Sequence, residues 1–116
     1  MTDTSPMSIF SIISKLVSVN SIYPNESAIT LIFTDLLAEL GFEVTLQPIG
    51  PDRSNIMASR GTNPQILFYG HQDTVPLVNE SDWQTKPFDL TQKGDKLYGL
   101  GAYDMKGGIA AFLSAL

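Results

Sequence analysis

The sequence predicts an α/β fold in which two helices precede a set of short strands and a third helix follows them. Three observations predict it. Two stretches before Gly41 carry apolar residues at helical spacing, the period changes from 3.6 to 2 after Gly41, and Gly107-Gly108 opens a last apolar run. Helical and strand patterns in this order build a layered α/β architecture, although the sheet is short of strands.

Ile9, Ile12, Ile13, Leu16 and Val17 fall at i, i+3, i+4, i+7 and i+8, the stripe of a first amphipathic helix. Ser5 and Pro6 supply its cap and first helical position. Ile22-Tyr-Pro-Asn-Glu26 reads as a loop. A second stripe runs through Ile29, Ile32, Phe33, Leu36, Leu37 and Leu40, and Gly41 stands where a C-terminal cap belongs. Both stripes read as core faces. Phe42, Val44 and Leu46 then alternate with Glu43, Thr45 and Gln47, as in a half-buried strand. A turn at Pro48–Asp52 leads to a second strand over Asn55–Ser59. Ile66–Tyr69 is continuously apolar, which predicts a strand covered on both faces. Phe88–Thr91 and Lys96–Tyr98 flank Lys93-Gly94-Asp95 as a hairpin, and the last helix spans Ile109–Leu116.

With 116 residues the chain suits one compact domain. Twelve acidic residues against seven basic give a net charge of −5, and only 16% of residues are charged. Nucleic-acid binding by phosphate neutralisation needs clustered Lys and Arg, which are absent. A polybasic membrane anchor is excluded on the same ground. Without cysteine there is no disulfide, no thiolate nucleophile and no Cys-ligated zinc. Ile9–Val19 is too short, and too broken by Ser11, Ser14, Lys15 and Ser18, to span a bilayer. The acidic start is unlike a signal peptide, so a cytoplasmic protein is expected.

Two constellations carry chemistry. His71, the only histidine, lies just beyond the apolar run, and ligands of open α/β sheets gather at strand carboxyl ends. Asp73 follows two residues later, on the same side of an extended backbone. This pattern suits a metal-bound imidazole with a carboxylate beside it. It also suits a hydrogen-bonded structural histidine and an Asx turn before Pro76. The second constellation is Tyr98-Gly-Leu-Gly-Ala-Tyr-Asp-Met-Lys-Gly-Gly108. A dinucleotide fingerprint would need Gly or Ala at position 104, where Asp104 would repel a pyrophosphate. A Walker motif fails because Lys106 precedes glycine and no Ser or Thr follows. Asp104 therefore reads as a cation ligand held close to backbone, or as a helix cap.

Gly70-His-Gln-Asp-Thr-Val-Pro76, Trp83, Pro87-Phe88 and Gly94–Gly108 together resemble the amino-terminal third of the zinc-dependent aminoacylase and carboxypeptidase (M20-type) family. The wording is nearest to its acetylornithine deacetylases of arginine biosynthesis, with the succinyl-diaminopimelate desuccinylases a close relative. The resemblance implies part of an α/β/α sandwich with a mixed sheet, incomplete in this chain. It implies His71 as a zinc ligand, Asp104 as the carboxylate bridging two zinc ions, and Asp73 as the catalytic-site carboxylate that positions or tunes the groups beside it. Trp83, Pro87 and Phe88 match packing positions. Cobalt is an alternative to zinc, and the peptide bond between Asp104 and Met105 is expected to be cis.

In that family the substrate is a small N-acylated amino acid, and the enzyme is a homodimer. Residues 1–116 would form only part of the catalytic domain. The glutamate general base, further ligands and the dimerising lid are expected beyond Leu116. The chain alone is thus expected to lack activity, with His71 and Asp104 sharing one cavity that binds zinc weakly. The alternatives are a truncated, non-catalytic small α/β domain, or a fragment of a succinyl-diaminopimelate desuccinylase or related metallopeptidase.

Overall fold

The computed structural model describes residues 5–116. Helix α1 spans Ile9–Val17, α2 spans Ser27–Glu39 and α3 spans Gly107–Ser114. Strands β1 (Glu43–Gly50) and β2 (Arg53–Ser59) form one antiparallel hairpin, and β3 (Thr91–Lys93) and β4 (Lys96–Tyr98) form another. The α/β class holds.

Helix α1 begins later than Ser5-Pro6 predicts. The Ser8 N–H closes a turn onto the Ser5 carbonyl at 3.0 Å, and Pro6 lies within that turn. The Ser8 hydroxyl then accepts the Ser11 N–H at 3.2 Å, so the cap is Ser8. A serine three residues ahead satisfies an amide that the helix itself leaves unpaired. At the end of α2, Gly41 adopts φ +80°. Its N–H bonds the Ala38 carbonyl, and the Phe42 N–H reaches that of Leu37. This is a Schellman cap, which glycine accommodates without a Cβ clash.

The two predicted stripes make the core. Ile12, Ile13, Leu16 and Val17 of α1 are buried against Ile29, Phe33 and Leu36 of α2 and Ala110 and Leu113 of α3. Each large aliphatic side chain buried this way contributes about 1.5–3 kcal/mol.

The strands depart further from expectation. β1 and β2 pair from Glu43–Ser59 to Gly50–Arg53, and β2 starts at Arg53 rather than Asn55. Only Val44 and Ile56 of their apolar residues are partly covered, so the predicted half-buried strand is largely exposed. The second hairpin is shorter than predicted, pairing Thr91–Tyr98 through Lys93–Lys96. In place of a mixed sheet, the described residues show these two ribbons and one isolated parallel bridge between Ile22 and Thr74. The last helix starts at Gly107, two residues before Ile109, and ends at Ser114.

Ile66–Tyr69 is the plainest correction. It pairs with no strand, and its four residues are 74, 86, 59 and 92% exposed. Phe68 still stacks on Phe112 of α3, with ring centroids 3.9 Å apart. A run apolar on both faces needs neighbours on both sides, and no strand among the described residues pairs with it. Unpaired backbone flanked by apolar side chains templates edge-to-edge association. The isolated chain is therefore expected to self-associate as its concentration rises. Leu67→Lys, at an exposed site, should shift sedimentation velocity profiles toward monomer; identical profiles for both proteins would refute this.

Candidate functional site

The Gly70–Thr74 segment meets the loop entering α3. The Thr74 N–H bonds the Ser21 carbonyl at 3.0 Å, and the His71 N–H donates to Met105 Sδ at 3.3 Å. Gly70 packs so closely here that a Cβ would lie 2.9 Å from Met105 Cε. On the facing loop, Gly101 adopts φ +74° and Ala102–Lys106 forms a kinked turn before α3. Asp104 sits at the kink in an extended conformation, and the Asp104–Met105 peptide is cis, as the resemblance implies.

These two loops bring the three predicted residues together. His71 Nε2 lies 2.9 Å from Asp104 Oδ1. On the other edge of the ring, Nδ1 is 2.9 Å from the Asp73 carbonyl oxygen and 3.5 Å from Asp73 Oδ1. The site is open: Asp104 is 69% exposed, so His71 and Asp104 meet at the surface rather than in the shared cavity expected. A helix-cap role for Asp104 is also absent, since the residue before α3 is Lys106 and no side chain caps it.

Both partners only accept, so the bond to the Asp73 carbonyl needs a proton on Nδ1 and the bond to the Asp104 carboxylate needs one on Nε2. The neutral ring has one proton and serves one of the two; a metal between His71 and Asp104 would take the Nε2 lone pair with the proton on Nδ1. In the charged ring both nitrogens donate. Partial burial disfavours that charge, but the Asp73 carbonyl and the Asp104 carboxylate outweigh it and raise the His71 pKa above its ordinary value. The raised value means that this ring adds stability in full below about pH 6.5 and loses it as pH rises through the folded-state pKa.

One imidazole nitrogen and one carboxylate oxygen are donors of the kind zinc takes, but a zinc site needs about three protein ligands. No group of three or more His, Cys, Asp or Glu among the described residues is placed to hold a metal ion. The donors present form one edge of a metal centre and do not complete it.

Two neighbouring residues escaped sequence reasoning. Gln72, between His71 and Asp73, turns inward; its Nε2 donates to the Ser54 carbonyl at 2.9 Å and its Oε1 lies 2.9 Å from Thr30 Oγ1. Lys106 is 2% exposed, and its Nζ donates to the Val19 carbonyl at 3.0 Å, tying the Asp104 loop to the end of α1. Both roles rest on contacts distant in sequence, so no local pattern announces them. Trp83 and Phe88 are half-buried and Pro87 is buried, in line with packing positions.

Burial lowers the Lys106 pKa from 10.5 to about 8. Between these values the unfolded chain holds the proton and the folded chain has lost it, so stability rises with pH across that window. Lys106→Met is expected to remove this rise, as read from denaturant midpoints at pH 7.5 to 10.5, while wild type keeps it. Parallel profiles would show that the amine is not desolvated.

Residues 67–116 match the family described as Peptidase family M20/M25/M40. A succinyl-diaminopimelate desuccinylase of Vesicomyosocius okutanii is 44% identical over 102 residues, covering 87% of this chain and 27% of that protein. Those of Buchnera aphidicola and Orientia tsutsugamushi are 36 and 38% identical over 93% of this chain, and 28 and 29% of theirs. The crystal structure of human carnosine dipeptidase 1 superposes with a TM-score of 0.79 at 29% identity, over 92% of this chain and 27% of that one. The chain therefore spans somewhat more than a quarter of the length of the relatives it matches. No helix among the described residues is long and apolar enough to cross a membrane. The chain is thus similar to the M20/M25/M40 peptidase family over residues 67–116, and over nearly its whole length to these desuccinylases in sequence and to that dipeptidase in fold.

Proposed function

We propose that this chain is the amino-terminal part of the catalytic domain of a metal-dependent amide hydrolase, acting in the cytoplasm on a small N-acylated amino acid. The observation that carries the reading is the meeting of His71 Nε2 and Asp104 Oδ1, 33 residues apart in sequence and 2.9 Å apart in space. In this reading both are ligands of zinc, or of cobalt in its place, and Asp73 orients the imidazole. The remaining ligands, the general base and a dimerising lid come from the part of a longer polypeptide that the match to relatives leaves uncovered. The exposed Ile66–Tyr69 run supports an incomplete domain over a self-contained, non-catalytic one. The desuccinylase names of the relatives favour a succinyl substrate over the N-acetylornithine that the motif wording suggests.

The test replaces the matching segment of the Vesicomyosocius desuccinylase with this chain. The zinc-loaded chimera is expected to hydrolyse N-succinyl-diaminopimelate in preference to N-acetylornithine. His71→Ala or Asp104→Ala should lower the rate by more than about 100-fold, since even groups behind metal ligands cost 10- to 100-fold. A folded, zinc-loaded chimera without amide hydrolysis, or one that either substitution leaves active, overturns the reading. Preference for N-acetylornithine overturns the succinyl assignment alone.

A further inference from the structure

We propose that the groove beside Asp104 is a subsite for the free amino-acid end of the substrate, with Asp82 receiving its ammonium and Lys93 its carboxylate. The groove has a volume of about 690 Å³, ordinary for a small-molecule site, and Ala102 and Tyr103 form one side of it. Those two residues belong to the kinked turn that carries Asp104, so the groove adjoins the candidate metal ligands. Two elements supply the other walls. The short helical turn Glu80–Asp82 brings Asp82 and Trp83, and the β3–β4 hairpin brings Lys93 and Tyr98. Backbone bonds fix both. The Asp82 N–H reaches the Asn79 carbonyl at 2.8 Å and the Trp83 N–H that of Glu80 at 3.1 Å. Just past β4, the Leu100 N–H meets the Pro87 carbonyl at 2.7 Å.

Charge and exposure identify what fits. Asp82 and Lys93 are the charged residues of this lining, one of each sign. Among the described residues neither enters an ion pair, with the other or with a third group. Lys93 Nζ stands 5.8 Å from the centre of the Tyr98 ring, a contact that keeps the ammonium at the groove. Tyr103, 99% exposed, adds a second aromatic surface beside Asp104. A ligand that answers both charges across an aromatic wall is an α-amino acid in its zwitterionic form. Succinyl-diaminopimelate, the compound in the relatives' names, keeps such a group at the end remote from its amide, where N-acetylornithine has an amine alone. The groove therefore selects on the amino-acid half of the substrate, at the point where the two candidates differ in charge.

This inference rests on the reading of His71 and Asp104 as the reaction centre, but its test needs neither metal nor activity. Trp83 is the only tryptophan and lies in the wall, so its fluorescence reports on the groove. The intact chain is titrated with diaminopimelate, with pimelate, which lacks the amines, and with cadaverine, which lacks the carboxylates. Diaminopimelate is expected to give a saturable change. Pimelate and cadaverine should each bind about fivefold more weakly, the upper end for the loss of one exposed ion pair. Asp82→Asn and Lys93→Met, both at exposed positions, should weaken diaminopimelate binding by the same factor. Asp82→Asn should leave pimelate binding unchanged, and Lys93→Met should leave cadaverine binding unchanged. A flat diaminopimelate titration overturns the proposal. So does a diacid or diamine that binds equally well, or a variant that binds diaminopimelate as wild type does. An inactive chimera would overturn the hydrolase reading and leave this titration intact, whereas a flat titration beside an active chimera removes the subsite alone.

Discussion

The 116-residue chain on its own, with zinc supplied, is expected to release no measurable succinate or acetate from N-acylated diaminopimelate or ornithine. Enzymic rate enhancements run from about 10⁶-fold upward, and this chain should show none of it. His71 and Asp104 bring two donors, leaving most of a bound zinc's coordination to water. The same count predicts weak zinc binding, seen by calorimetry as a shallow isotherm that His71→Ala abolishes. Affinity should decline as pH falls, and the decline should begin above pH 6.5, because the His71 pKa is raised and a metal must displace the proton. Zinc-dependent acyl release by the pure chain, or a tight site indifferent to His71→Ala, would contradict the ligand assignment.

Arg53→Ala is expected to destabilise the fold, because it takes away both hydrogen bonds to the Glu26 carboxylate. The Glu26 side chain is only 5% exposed, whereas Arg53 is 27% exposed and lies over the Tyr23 ring, 4.6 Å from its centroid. Deleting the guanidinium leaves the carboxylate buried without its two-point partner. Lysine cannot reproduce that fork, so Arg53→Lys should recover little. Pairing Arg53→Met with Glu26→Gln removes both charges and should return most of the loss. Denaturant midpoints of the four proteins decide the matter. Unchanged midpoints would mean that the pair behaves as an exposed one.

The helices were legible because their signals are local. The stripes at Ile9–Val17 and Ile29–Leu40 report which face must be buried, and Gly41 marks a backbone turn that glycine takes without strain. The His71, Asp73 and Asp104 cluster was legible through motif wording and chain order. Ile66–Tyr69 was misread for a physical reason. Apolar residues on both faces state a requirement for neighbouring strands, and the pattern says nothing of whether those strands are present. Ser8 displaced Ser5 as the cap because both are good caps and only the turn through Pro6 distinguishes them. Gln72, Lys106 and the Glu26–Arg53 pair were invisible for another reason. Their partners lie 18 to 87 residues away, where composition and periodicity carry no information.

Gly70 and Met105 can be expected to vary as a pair. An alanine methyl at position 70 would stand 2.9 Å from Met105 Cε and 3.0 Å from Sδ. The flexible thioether could swing aside, but doing so takes its sulfur off the His71 N–H, where it now sits at 3.3 Å. A larger residue at 70 is therefore tolerable only with a shorter one at 105, and the His71 amide would then need a different acceptor. Among homologous sequences these two positions should covary, although 34 residues separate them along the chain, and a library randomising both should return glycine at 70 wherever methionine is kept at 105.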